Sequence, residues 1–405
     1  MIHMQKNFSH IHFLFPKLWD NEQFIDLPAD EPFSDEAVAF LQGLSTELTK
    51  NIGNYPEVAA LAFFCRKANI VQLKNKYVVD QKLRLGRGIV FHISPSNVPL
   101  NFAYSLVCGI LSGNNNIVRV PSKNFEQINI VCNALQTIAD TNEHTRITDR
   151  IVLVRYDREN KATGYFSSIC DVRIIWGGDE TINQVRKNEL SPRAFDISFA
   201  DRYSLCVINA DTYVKEPAPE KIAAGFYDDT YLFDQNACTS PHLLVWLGTK
   251  ENVAQSKNIF WNTLHAIVKE RYNAIQPVIA VDKLTTFYAQ AASSEKIHKI
   301  VTDDNTIWRI NLQELPDDID AYRCKSGYFS EYHASSLLVL RGIINRKYQT
   351  LTYFGISKDE LTDFIKKVTP SGIDRIVPIG RASEFSLTWD GFELITTLSR
   401  SIEII

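Results

Sequence analysis

The alternation of apolar and polar positions changes character along the chain. Near the start, Asp35 and Glu36 open a segment with Val38, Phe40, Leu41, Leu44 and Leu48 at helical spacing. A second helix is expected after Pro56, with Val58, Leu61, Ala62 and Cys65 along one side. From residue 88 onward, short apolar runs alternate with amphipathic stretches. Residues 88–94, 117–120, 151–155, 171–176 and 204–209 read as strands buried on both faces. Helices are expected between them at 98–111, 125–139, 158–169 and 180–187, with Ser122 a good N-cap. Five such strands with intervening helices predict an open parallel sheet with right-handed crossovers, an architecture that binds nucleotides. The polar, proline-bearing stretch 211–220 is the expected hinge. Beyond it, strands are expected at 242–248, 306–311, 334–341, 349–354 and 374–379, with helices at 251–270 and 358–368.

A chain of 405 residues exceeds one ordinary core, so two domains are expected. With 43 basic and 47 acidic residues the net charge is −4, which argues against nucleic acid or a membrane surface as the main partner. The longest apolar stretch, 89–111, is interrupted by Pro95, Asn97, Pro99 and Asn101 and does not read as a membrane span. The seven cysteines are odd in number and form no CxxC pair, as expected of thiols in a reducing compartment. The first twenty residues lack the pattern of a secretory signal, so a cytoplasmic protein is expected. The nine histidines offer no metal-ligand spacing and no HExxH pattern, so no metal site is expected.

Three segments could carry chemistry. Cys238 lies in a small, polar, turn-rich stretch, residues 234–241, just before an apolar strand, so its thiol should be presented at a sheet edge, where ligands bind in α/β folds. Taken alone, it is more simply an inert loop cysteine. Residues 94–99 (SPSNVP) sit at the first strand-to-helix junction. There the Asn97 amide could donate to an oxyanion, or the segment could be an ordinary turn. Gly177 and Gly178 precede a helix and could admit a phosphate to its N-terminus, although one glycine pair is weak evidence and no GxGxxG follows the first strand. Arg119, Ser122 and Lys123 could bind a ribose phosphate, or simply be solvated.

Together these segments form an ordered set. ISPSNVPL (93–100), GNNNIVRVPSK (113–123), WGGDETI (176–182), FADRYS (199–204), DQNACTSP (234–241) and GIDRIVPIGRASEF (372–385) follow one another. The order resembles the aldehyde dehydrogenase superfamily and, within it, the bacterial-luminescence fatty acyl-CoA reductase (LuxC) family, over roughly residues 86–405. The resemblance implies an α/β, aldehyde-dehydrogenase-like fold, with a Rossmann-like parallel-sheet cofactor domain at 86–212 and an α/β catalytic domain at 213–382. It leaves 1–85 as a helical segment packing on the cofactor domain and 383–405 as a tail with a strand that contributes to oligomer contacts, hence a homo-oligomer.

The resemblance also implies Cys238 as nucleophile and Asn97 as oxyanion donor. Ile93, Ser94, Pro95, Ser96, Arg119, Ser122, Lys123, Gly177 and Gly178 are then expected around NADPH, with NADH left open. The substrate would be an acyl-CoA, and an acyl-protein synthetase could load Cys238 directly. Three positions depart from the superfamily pattern. Val120 stands where a ribose-holding lysine is usual, Ser96 replaces the tryptophan of PWN, and no carboxylate occupies the water-activating position near Phe199. The last departure favours reduction over hydrolysis. An oxidative or CoA-acylating aldehyde dehydrogenase, and an acyltransferase or thioesterase without a cofactor, are the competing readings.

Overall fold

The computed structural model describes residues 11–17, 19–53, 55–77, 83–96, 98–157, 161–272, 276–294, 296–300 and 304–405. The chain forms two units, Met1–Ala200 with Ser386–Ile405, and Asp201–Phe385. No described helix is long and apolar enough to cross a membrane.

The first unit is built on a six-stranded sheet of β1 (His12–Phe15), β2 (Ile89–Ile93), β3 (Asn115–Arg119), β4 (Ile151–Arg155), β5 (Val172–Trp176) and β6 (Phe195–Phe199). The strand order is β1-β4-β3-β2-β5-β6, and only β1 is antiparallel to its neighbour. From β2 the chain passes through helix α1 (Asn101–Leu111) to β3 and on to β4, then returns to β5 on the opposite side of β2. That reversal opens a crevice at the carboxyl ends of β2 and β5, where such sheets take their ligands. Phe91 and Ile93 of β2, Ile117, Val152, Val154 and Phe166 form its core, buried as the apolar runs require.

Residues 204–209, expected as the fifth strand of this sheet, belong instead to the second unit. The fifth parallel strand is β6, whose alternating Asp196 and Ser198 hide it from an apolar-run reading. Asp196 is needed there because Arg173, only 1% exposed, sits inside β5. Arg173 Nε and Nη2 donate to the two Asp196 oxygens at 2.7 and 3.1 Å, and Nη1 reaches Ser167 Oγ and Asn188 O. Buried His92 is likewise fully engaged. Trp176 Nε1 donates to Ser105 Oγ, which lies 2.7 Å from His92 Nδ1, while His92 Nε2 meets Asn116 Oδ1 at 3.1 Å. Burial pushes its pKa down to about 4, so the ring is neutral.

Before the sheet lie helices Asn21–Asp26, Asp35–Lys50, Pro56–Phe64 and Lys67–Tyr77. Ser34 caps the second by accepting from the Ala37 N–H. Strand Ser399–Ile402, expected near the C-terminus, pairs antiparallel with Leu83–Gly86 of its own unit.

The second unit carries seven strands: β7 (Tyr203–Asn209), β8 (Pro241–Leu247), β9 (Ile297–Ile300), β10 (Trp308–Leu312), β11 (Tyr328–Ala334), β12 (Tyr348–Phe354) and β13 (Arg375–Pro378). Their order is β9-β10-β11-β8-β7-β12-β13, and only β9 is antiparallel. The stretch 211–220 is not extended. It forms the short helix Ala210–Tyr213 and the beginning of α2 (Pro219–Thr230). Helices α3 (Lys250–Arg271) and α4 (Pro277–Ser293) follow β8.

The strand expected at 334–341 is displaced. The strand is β11, and Leu337–Gly342 is a 3-10 turn with Leu338 half exposed. A buried acid inside β11 obscures it. Glu331 accepts from Trp246 Nε1 at 3.0 Å, Trp261 Nε1 at 2.9 Å and Arg309 Nε at 2.7 Å, with Lys257 3.4 Å away. These donors and cations hold the carboxyl below its ordinary range despite complete burial.

Candidate active site

Helix α2 ends in a 3-10 turn, Tyr231–Phe233, after which Asp234 and Gln235 both take left-handed backbone, at φ 51° and 59°. Two consecutive non-glycine residues in that region need outside support. Asp234 Oδ1 accepts from Tyr272 Oη at 2.6 Å, and Tyr272 Oη also lies 3.0 Å from Ser326 Oγ. Gln235 N donates to Thr230 O at 2.7 Å. The chain then runs through Asn236, Ala237 and Cys238 into β8. Ser204 Oγ donates to the Cys238 carbonyl at 2.6 Å and accepts from Thr350 N at 3.1 Å, so two neighbouring strands hold the loop's backbone.

Cys238 is the one exposed cysteine of the seven. Burial pushes the thiols of Cys65, Cys170 and Cys206 up to about 12, which suppresses their thiolates. Cys238 opens on a cleft of about 420 Å³ walled by its own loop, by Arg323, Cys324 and Lys325, and by Asp282, Thr285 and Thr286 of α4. The two carboxylates lining it are both ion-paired. Arg323 Nη2 holds Asp201 at 2.5 and 2.6 Å, and Lys325 Nζ holds Asp282 at 3.1 Å. His242, also in the wall, is driven to about 3 by burial and by the Arg323 charge, so it is neutral. Burial likewise raises the Cys324 thiol.

Cys238, singled out from the sequence, is exposed on this cleft, whereas Ser204, Arg323 and the contacts of Gln235 and Asp201 were not anticipated, because their partners are distant along the chain. Asp201 and Asp196, the two carboxylates nearest the position of the usual base, are held by Arg323 and Arg173 respectively.

In the first unit, the expected cofactor residues gather at the carboxyl ends of β2, β3 and β5. Ile93 ends β2, Arg119 ends β3, and Ser94 N donates to Arg119 O at 3.2 Å. Ser94 Oγ is buried and meets no partner among the described residues, so it offers a hydroxyl to a ligand in the crevice. Pro95 is partly exposed, and Ser96 and Ser122 are exposed. Gly178 caps the helix Asp179–Arg186, and a Cβ there would meet nothing within 4 Å. A Cβ on Gly177 would press on Thr181 Cγ2 at 3.1 Å. Gly178 thus leaves open space at the helix N-terminus, where a diphosphate could approach the backbone, while Asp179 and Glu180 in the first turn offset the helix's positive end.

The Arg119 guanidinium lies 4.9 Å over the Tyr156 ring and donates to Tyr156 O. Lys123 lies 5.1 Å over Phe125. The unfilled Ser94 hydroxyl and the space above Gly178 fit a dinucleotide. Phe199, near which the resemblance would put a water-activating glutamate, is buried and stacked 3.8 Å from Trp176. Asn97 lies outside the described residues.

Solved structures with this fold include aldehyde dehydrogenase 21 from Physcomitrella patens (TM-score 0.67, 12% identity, covering 94% of this chain and 89% of that one). Lactaldehyde dehydrogenase from Escherichia coli matches similarly (TM-score 0.65, 10% identity, 94% and 87%). In sequence, the chain is 28% identical to a long-chain acyl-protein thioester reductase of Aliivibrio fischeri over 51% of this chain and 43% of that protein. It is 24% identical to one of Photobacterium phosphoreum over 77% of this chain and 64% of that protein. The chain therefore covers less than two thirds of either relative's length. The family described as acyl-CoA reductase (LuxC) matches residues 71–401, most of the chain, and the chain belongs to that family.

Proposed function

We propose that the chain reduces an acyl thioester to the aldehyde through an S-acyl intermediate on Cys238. The acyl donor is a long-chain acyl-CoA or an acyl group delivered on a carrier protein, and NADPH is the proposed cofactor, with NADH the alternative. The reading rests on one observation above all: the exposed thiol opens on a cleft whose carboxylates are both occupied by cations. Such a site suits a nucleophile that must keep its acyl group from water.

Cys238 Sγ, as thiolate, attacks the thioester carbonyl carbon. The bond to the donor sulfur breaks, the donor leaves as a thiolate that takes a proton from solvent, and the acyl group stays on Sγ. The Cys238 backbone N–H and, by family resemblance, the Asn97 amide are assigned to the developing oxyanion, about 3 kcal/mol for one such donor. Ser94, Ser96, Gly177 and Gly178 are assigned to holding the dinucleotide, with Arg119 or Lys123 toward a 2′-phosphate. When bound, the cofactor supplies the hydride that takes the acyl carbonyl to the aldehyde level. Asp201 and Asp282, the carboxylates lining the cleft, each face a cation, Arg323 and Lys325.

Incubating the protein with labelled long-chain acyl-CoA, without cofactor, and mapping the labelled peptide tests the reading. Label on Cys238 that is absent from Cys238→Ala supports it. Label on another cysteine contradicts it.

A further inference from the structure

We propose that Gln235 is a positioning residue: its side-chain amide joins the two walls of the thiol cleft and so fixes the position of Cys238. The inference rests on the reading of Cys238 as the nucleophile. Gln235 is 1% exposed, and its amide uses its full hydrogen-bonding capacity. Oε1 accepts from Gly327 N at 2.9 Å and from Tyr328 N at 3.0 Å. Nε2 donates to Pro241 O at 2.9 Å and to Tyr328 O at 3.0 Å.

These partners explain why an amide is required. Strands β8 and β11 are parallel neighbours, with Leu243 level with Ser330. Two residues earlier Pro241 stands level with Tyr328, and proline has no N–H to continue the ladder. The Gln235 side chain inserts there as a surrogate peptide group, donating to a carbonyl of each strand and accepting from two N–H groups at the start of β11. The junction stands at the root of both walls. Pro241 closes the loop that carries Cys238, and Gly327 and Tyr328 follow directly on Arg323, Cys324 and Lys325. Ser326 N adds a bond to Asp234 O at 2.9 Å in the same seam. Without the amide, two backbone N–H groups and two carbonyls lose a partner at the point that sets the spacing between thiol and opposite wall.

Gln235→Glu is the test, because it keeps the shape and changes only the donor. The ionised carboxylate has no hydrogen for the two carbonyls, whereas the protonated carboxyl restores one; burial opposes ionisation and the two N–H donors favour it, so the titration is read from the variant's own pH profile between about 5 and 9. Cys238 acylation by a long-chain acyl-CoA is followed at saturation in wild type and variant, together with the acyl-CoA KM and the melting temperature at each pH. The acylation rate of the variant should fall about 100-fold at pH 8, the scale of an ångström-sized misplacement. The KM should stay within about threefold, since binding is not what is lost. Relative to wild type, the rate should recover roughly tenfold on the acid side of that profile as one donor returns.

Wild-type rates in folded Gln235→Glu at pH 8 would overturn the inference and leave the proposed function standing. A wild type that takes no acyl group overturns both. If the variant does not stay folded at pH 8, a pH jump from 6 to 8 decides. Acylation must drop before near-ultraviolet circular dichroism changes, and a drop that only tracks unfolding overturns the inference.

Discussion

Arg323 holds both carboxylate oxygens of Asp201, at 2.5 and 2.6 Å, in the wall of the cleft that contains Cys238. Its Nη1 also donates to Arg202 O at 2.7 Å, so the guanidinium is fixed to the backbone as well. Both Asp201 oxygens are thus turned toward one guanidinium nitrogen, Nη2, and a water-activating role would need that contact to open. Arg323→Leu should release the carboxylate. Cofactor-independent release of fatty acid from the acylated protein should then rise roughly 10- to 100-fold, part of the range that positioned bases supply. Unchanged release would mean that the ion pair is not what limits hydrolysis.

Gly178 offers the cleaner probe of the cofactor crevice. Its φ of −68° suits any residue and a Cβ there meets nothing, so Gly178→Val should fold normally. Its side chain would occupy the approach to the helix N-terminus and raise the cofactor KM by about tenfold or more, a loss of uniform binding. Acylation of Cys238 should be unaffected. Gly177→Val, by contrast, presses on Thr181 and should lower the melting temperature. A Gly178→Val protein with unaltered cofactor KM would make the turn purely structural.

Two buried histidines each withdraw stability from the fold as pH falls. The pKa values of His92 and His242 are about 4 and about 3 in the folded chain, against an ordinary 6.5. A depressed histidine leaves the unfolded chain binding more protons, so the stability of the neutral ring is fully present above pH 6.5 and is lost as pH falls toward the folded values. By pH 5 each histidine should remove about 2 kcal/mol. Urea denaturation between pH 7.5 and pH 5 measures this, and in His92→Asn the contribution of that ring should vanish. The total slope also carries Asp229, whose buried carboxyl is raised to about 7 and acts in the opposite sense, so the comparison decides: wild type and His92→Asn with the same pH dependence would contradict the buried, neutral assignment.

Much of this was visible in sequence order, and the failures have physical causes. The runs around Phe91, Val152 and Ile174 are almost wholly buried, with His92 and Arg173 hydrogen-bonded inside them, so they read correctly as strands. Strands β6 and β11 escaped because each carries an acid, half-buried Asp196 or fully buried Glu331, that is paired with an arginine, Arg173 or Arg309, in the adjacent strand. Cys238 was legible from its small polar neighbours. Its surroundings were not: the hydrogen bonds of Gln235 to Tyr328, of Ser204 to Cys238 and of Arg323 to Asp201 span 93, 34 and 122 residues, beyond the reach of any local pattern.

The central claim, that the acyl group on Cys238 is reduced rather than hydrolysed, is tested most directly in a single turnover. The protein is loaded with a stoichiometric long-chain acyl-CoA, and the products are followed by mass spectrometry with and without NADPH. Without cofactor the acyl-Cys238 species should persist, since positioned base catalysis worth roughly 10²–10⁴-fold is missing. Adding NADPH should discharge it to one equivalent of aldehyde while one equivalent of NADPH is oxidised. Rapid appearance of fatty acid without NADPH, or an acyl-enzyme that persists when NADPH is added, would contradict the account.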